Sequence, residues 1–173
     1  ERGRVVRILV IGSGGREHAL VWALSRHGRD REIFCLPGNA GIACIAQCLP
    51  GKAEHIPTVL QAANQIRPDL VVVGPEDPLA AGVVDGLEKA GFHAFGPSAS
   101  AARLEADKVF AKEFMARHDI PTAAFTIFDD PQAAHRHLDQ VEMPVVVKAF
   151  GLARGKGAFV CTSRKQAHRA VTE

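Results

Sequence analysis

Two periodicities alternate along this chain. Residues 5–11 are a β-branched apolar run of strand length, which reads as a strand buried on both faces. From Glu17 onward, Ala19, Leu20, Ala23 and Leu24 recur at helical spacing. The same sequence of signals repeats. Residues 32–36 read as a short strand, 59–66 as a helix stopped by Pro68, and 69–73 as a third strand. Residues 79–89 read as one helix capped by Gly91, and 92–95 as a fourth strand. A helix capped by Ser98 or Ser100 then runs to about His118. Residues 42–56 fit neither period. Repeated strand-then-helix order predicts an α/β fold: an open parallel sheet with helices on both faces, Rossmann-like.

The style changes after Pro121. Residues 123–128 read as a strand, 131–141 as a helix and 144–148 as a strand. A glycine loop follows at 151–157, then a strand over 158–162 and a helix capped by Ser163. The expected organisation is an α/β domain over 1–104, a connecting helix and linker over 105–122, and a second unit over 123–173.

The loops between these elements carry the polar chemistry. Gly12, Gly14 and Gly15 join the first strand to the first helix, where a glycine turn and free helix N–H groups make an anion site. It is not the dinucleotide fingerprint. Glu17 stands where the third glycine belongs, and the next strand offers no acidic residue near 34–37. Arg16, Glu17 and His18 crowd the helix start, which suits a polar, phosphate-bearing small molecule. The loops at 37–41, 74–78 and 96–98 follow the other strands. All would lie along the carboxyl edge of one parallel sheet, where open α/β folds bind ligands. There Asn39, Glu76 and Glu17 are expected to converge with Arg16 on one crevice.

The loop at 151–157 is not a P-loop. Three residues, not four, precede its Gly-Lys pair, and Gly157 replaces the hydroxyl residue. It joins two strands, with Lys148 on the entering one, as an ATP-grasp lid does. A lysine inside an apolar strand is costly to desolvate without an anion, so Lys148 is a candidate phosphate ligand. Lys156 is a second.

Composition narrows the classes. A 47% apolar share permits a sizeable core, and a net charge of +2 gives no ground for nucleic-acid or membrane attraction. The basic residues near both ends read as solvated surface. The four cysteines match no zinc spacing and read as free thiols in a reducing compartment, with Cys35 a buried small hydrophobe. No apolar run reaches transmembrane length, and the expected location is cytoplasmic.

The segments GSGGREHAL, PGNAG, VVVGPEDPLAAGVVD, FGPS, LEADKVFAKEFMARHDIPTA and VVKAFGLARGKGAFV occur in this order over nearly the whole chain. Together they resemble the glycinamide ribonucleotide synthetase (phosphoribosylamine–glycine ligase) family of ATP-grasp enzymes. The resemblance implies an ATP-dependent carbon–nitrogen ligase of purine biosynthesis, with 1–104 as its substrate-binding domain and 123–173 as an incomplete ATP-grasp lid subdomain. Its substrates would be phosphoribosylamine, glycine and ATP, joined through a glycyl phosphate, and neither nucleic acid nor membrane is an expected partner. The substrate positions it implies are Gly12, Ser13, Gly14, Gly15, Arg16, Glu17 and His18, then Pro37, Gly38, Asn39, Ala40 and Gly41, then Gly74, Pro75 and Glu76. The ATP positions are Lys108, Lys148, Gly151, Gly155, Lys156 and Gly157.

Two departures stand out: Phe150 replaces an acidic or small residue, and Arg154 replaces alanine. The family continues well past residue 173, and its Mg2+ or Mn2+ ligands lie there. No catalytic residue or metal ligand is therefore expected in this chain, and ligation by the chain alone is not expected. The alternatives are a non-catalytic sugar-phosphate or nucleotide-binding module, or another ATP-grasp ligase.

Overall fold

A computed structural model describes residues 4–26, 30–150 and 157–173. The chain divides into two compact units, Glu1–Ala106 and Asp107–Glu173.

In the first unit, β1 (Val6–Gly12), β2 (Arg31–Pro37), β3 (Gln47–Cys48), β4 (Leu70–Val73) and β5 (Ala94–Phe95) form one sheet in the order β3-β2-β1-β4-β5. Every pairing is parallel. The pleat divides the apolar run of β1 between two cores. Leu9 and Ile11 pack with Leu36, Val71 and Val73 under α2 (Ile56–Ile66) and α4 (Val83–Lys89). Ile8 and Val10 pack with Ile33, Cys35 and Val72 under α1 (Gly15–Arg26) and a 3-10 turn at Ile42–Cys44. Each such aliphatic side chain contributes about 1.5–3 kcal/mol on burial. The open parallel sheet with helices on both faces is therefore the observed architecture.

Several elements differ from the sequence expectation. The buried stripe of α1 is Glu17 and Val21, with Leu24 against the core, whereas Ala19 and Leu20 face solvent. An acidic residue on the inner face defeats a stripe read from apolar residues alone. The helix expected over 79–89 is two helices, α3 (Glu76–Ala80) and α4, divided at Gly82 with φ 85°. That left-handed conformation ends the helical ladder, and only glycine adopts it without strain. Gly91 does close α4: its N–H donates to Glu88 O, and Phe92 N–H reaches Leu87 O, a Schellman arrangement.

The helix expected to reach His118 is also two, α5 (Ala99–Ala106) and α6 (Lys108–Arg117). Asp107 interrupts it, because its carboxylate accepts from Phe110 N–H at 3.0 Å as an N-cap. Ser98 Oγ similarly accepts from Ala101 N–H at the start of α5. Within the stretch that fits neither period, Gln47 and Cys48 add an edge strand to β2.

In the second unit, β6 (Val145–Lys148) and β7 (Ala158–Cys161) pair antiparallel. The helices α7 (Pro131–Leu138) and α8 (Arg164–Thr172) complete a small core of Leu138, Cys161 and Ala167. Ser163 caps α8 as expected, accepting from Gln166 N–H. No strand forms over 123–128; this stretch is irregular and mostly exposed. Its alternating apolar residues have no neighbouring strand to pair with.

Candidate functional site

The strand order reverses about β1: β2 and β3 lie to one side, β4 and β5 to the other. A parallel sheet opens a crevice beyond its carboxyl edge at such a point. The loops there are 12–14 after β1, 38–41 after β2 and 74–75 after β4. Backbone bonds hold them together: Gly38 N–H donates to Gly12 O at 3.0 Å, and Gly74 N–H to Ile11 O at 3.2 Å.

Glu17 is the pivot of this edge and is only 2% exposed. It lies in the first turn of α1, and its Oε2 accepts from Gly14 N–H at 2.7 Å. This is the acidic half of a capping box. Its Oε1 is buried without a hydrogen-bond partner. The carboxylate occupies the space that glycines vacate. A Cβ on Gly12 would stand 2.6 Å from Glu17 Cγ, and one on Gly74 would collide with Glu17 Oε1. Gly12 also has φ 130°, which L side chains rarely adopt. Glu17 thus braces two loops by packing against Gly12 and Gly74.

Asn39 works similarly. Its Nδ2 donates to Ser13 O at 2.8 Å, and its Oδ1 accepts from Ile42 N–H at 2.9 Å. One side chain ties the second loop to the first and caps the 3-10 turn. His18 lies against Gly41, where a Cβ would stand 2.5 Å from its Cε1. Above these, Arg16 pairs with Glu76 at 2.6 Å, joining the first loop to the third. The Glu76 hydrogen bond raises the Arg16 pKa above its usual value, so the guanidinium stays charged. The amides of Gly15, Arg16 and Glu17 open α1 and have no partner within the helix.

Glu17, Asn39, Arg16 and Glu76 are thus brought to one edge, but in two layers. Arg16 and Glu76 face solvent, while Glu17 and Asn39 hold the loops. The loop at 96–98 packs differently: a Cβ on Gly96 would meet Leu79 and Val84 at 2.9–3.0 Å. Two thiols also border the site, which their place in the sequence does not signal. Cys35 Sγ donates to Gly12 O at 3.3 Å, and Cys48 Sγ to Asn39 O at 3.9 Å.

Among the positions expected to serve ATP, Lys108 is the first residue of α6 and half-buried. Lys148 is exposed at the end of β6, contrary to the desolvated strand lysine expected. The hairpin packs only one face on the small core. Val145 and Val147 turn inward, and Val146 and Lys148 outward. Gly157 O accepts from Ala149 N–H at 2.8 Å, closing the hairpin base. Gly151, Arg154, Gly155 and Lys156 lie outside the described residues. Phe150, beside them, is 58% exposed.

Among the described residues, no three His, Cys, Asp or Glu side chains gather to hold a metal ion. None of their helices is long and apolar enough to cross a membrane.

Residues 6–105 match the model of the phosphoribosylglycinamide synthetase N domain, and 106–173 that of the ATP-grasp (A) domain of the same synthetase. The chain belongs to the phosphoribosylglycinamide synthetase family. It is 47% identical to the phosphoribosylamine–glycine ligase of Caldanaerobacter subterraneus over 155 residues, covering 90% of this chain and 37% of that protein. It is 46% identical to the human trifunctional purine biosynthetic protein adenosine-3, covering 96% of this chain and 17% of that one. Among solved structures, the phosphoribosylamine–glycine ligase of Thermotoga maritima superposes with a TM-score of 0.76 at 33% identity, covering 95% of this chain and 38% of that chain. The chain therefore spans well under half the length of these relatives.

Proposed function

We propose that the protein containing this chain is an ATP-dependent ligase that joins glycine to 5-phosphoribosylamine in purine biosynthesis. In this reading ATP phosphorylates the glycine carboxylate. The amine of phosphoribosylamine then attacks the acyl phosphate, giving glycinamide ribonucleotide, ADP and phosphate. The first unit of the chain holds the ribosyl phosphate. The α1 N-terminus and Arg16 receive the phosphate, and the loops at 37–41 and 74–76 receive the sugar. In the second unit, Lys108, Lys148 and the loop at 151–157 serve the ATP phosphates. The chain's share of the chemistry is positioning and charge neutralisation, for which it needs no general base. Divalent cations, Mg2+ or Mn2+, belong to the reading for the whole protein, and none of this chain's residues is given the role of holding them.

The observation that supports this most is the pinning of three loops at the sheet's switch point, with Arg16 and the first amides of α1 on the open side. The test is calorimetric titration of the chain with glycinamide ribonucleotide. Saturable binding that weakens with added salt and with ribose 5-phosphate as competitor is the expected result. Absence of binding to a folded chain overturns the reading of the first unit.

A further inference from the structure

Two of the four cysteines stand side by side beneath the loops of the site. Cys35 of β2 and Cys48 of β3 are direct partners in the parallel register. Both belong to the same apolar cluster, so their side chains leave the same face of the sheet. Neighbouring strands lie about 4.8 Å apart. That falls within the Cα separation of about 4.4–6.8 Å that a disulfide spans. A Cβ on Gly38 would stand 3.4 Å from the Cβ of each cysteine and collide with Cys48 Sγ. The bare Gly38 therefore leaves the room that the Cys48 thiol occupies beside Cys35. Both thiols are free, Cys35 fully buried and Cys48 half-buried.

Each thiol also touches a different loop, Cys35 at Gly12 O and Cys48 at Asn39 O. We propose that Cys35 and Cys48 form a reversible disulfide on exposure to a hydroperoxide, and that this bond weakens ligand binding at the loops above. The second half rests on the ribosyl-phosphate reading of those loops.

The chemistry divides the pair by access. Burial pushes the Cys35 thiol up to about 12, so it is a poor first nucleophile. Cys48 is the more accessible thiol. Its thiolate attacks the peroxide O–O bond and becomes a sulfenic acid, and the other peroxide oxygen leaves as water. Cys35 sulfur then attacks Cys48 sulfur, forming the S–S bond and breaking S–O. The hydroxyl departs as water with the Cys35 proton. Two electrons pass from the thiol pair to the peroxide, and a dithiol reductant returns them. In the disulfide neither sulfur keeps a proton to donate, so the bonds to Gly12 O and Asn39 O are lost. Both loops lose a support at once.

Cys44 is exposed, with its Sγ donating to Ala40 O at 3.4 Å, and is the competing thiol. The experiment uses the 173-residue chain carrying Cys44→Ser, treated with hydrogen peroxide and mapped by mass spectrometry without reduction. A peptide pair joining Cys35 to Cys48 is expected, and dithiothreitol separates it. Glycinamide ribonucleotide affinity should fall about tenfold on oxidation and recover on reduction, the loss of two weak loop contacts. Cys35→Ser and Cys48→Ser should each abolish both changes, so a folding defect in one leaves the other as a check. A map showing Cys48 as sulfinic acid, with no Cys35–Cys48 peptide, overturns the proposal. A crosslink that leaves affinity unchanged overturns its regulatory half. A reduced chain that binds no ribonucleotide refutes the ligand reading and, with it, the regulatory half. The crosslink is judged by the map alone.

Discussion

Glu17 Oε2 accepts the Gly14 N–H at 2.7 Å, so that the residue capping α1 also braces the carboxyl edge of the sheet. The carboxylate acts by where it sits under the loops. The hollow left by Gly12 and Gly74 is filled, and the two strand ends are set at a defined separation.

Replacing this brace should therefore affect folding as well as binding. Glu17→Ala removes the cap and leaves a void, and should destabilise the chain by about 1–3 kcal/mol in urea unfolding. Glu17→Gln can still accept from Gly14 N–H and should lose less. An unchanged urea midpoint for Glu17→Ala, with ribonucleotide affinity alone reduced, would mean that the carboxylate touches ligand.

The same brace can be displaced from the other side. Gly74→Ala puts a methyl group where Glu17 Oε1 lies. It should destabilise by about 1–3 kcal/mol through overpacking. Combined with Glu17→Ala it should be less harmful than the sum, because the smaller residue clears the clash. Strict additivity of the two unfolding energies would contradict the packing described.

Arg16 is 68% exposed in its pair with Glu76, so the pair should matter little to stability. Arg16→Ala should shift unfolding by less than about 1 kcal/mol. It should weaken ribonucleotide binding about tenfold or more and flatten its salt dependence. Titrations at two ionic strengths decide this.

Lys148 faces solvent, so Lys148→Ala should leave the melting temperature unchanged. In the proposed function it should still weaken nucleotide binding, read by fluorescence titration of the whole protein with Mg-ATP. Unaltered affinity removes Lys148 from the ATP site.

Cys35 gives a pH dependence with a defined sign. Its thiol is raised to about 12 in the folded chain, against an ordinary value of about 8.5 when unfolded. The folded state holds the proton more tightly. Its contribution is fully present below about pH 8.5 and is lost as pH rises toward 12, at most about 1.4 kcal/mol per unit. The difference in urea midpoint between the unaltered chain and Cys35→Ala should shrink from pH 8 to pH 11. A constant difference would show that the thiol ionises freely in the fold.

Much of the architecture was legible because it follows from local rules. Four apolar runs separated by helical periods and glycine turns call for a parallel sheet, and they predict which loops share its carboxyl edge. Family membership was also legible, since ordered loop motifs carry it. Legibility failed where two residues remote in sequence compete for one place. It failed too where a single residue overrides a period. Gly82 and Asp107 each divide a helix that periodicity alone would continue, since a left-handed turn and a side-chain cap are stronger than a weak apolar stripe. The stretch over 123–128 has strand composition, but composition supplies no partner.

By itself the sequence determined the strand-then-helix alternation, the two-sided sheet and the chemistry available at its edge. The loop contacts of Glu17 and Asn39 were visible only in the tertiary structure. Both look like ligand-facing polar groups in a linear reading. Once β4 and β2 lie on either side of β1, Gly74 packs against the Glu17 side chain, and Ser13 O comes within reach of Asn39 Nδ2. The pairing of Cys35 with Cys48 depends likewise on an edge strand that no periodicity announces. Hydrogen bonding and close packing act across the sheet, between residues that the chain itself keeps apart.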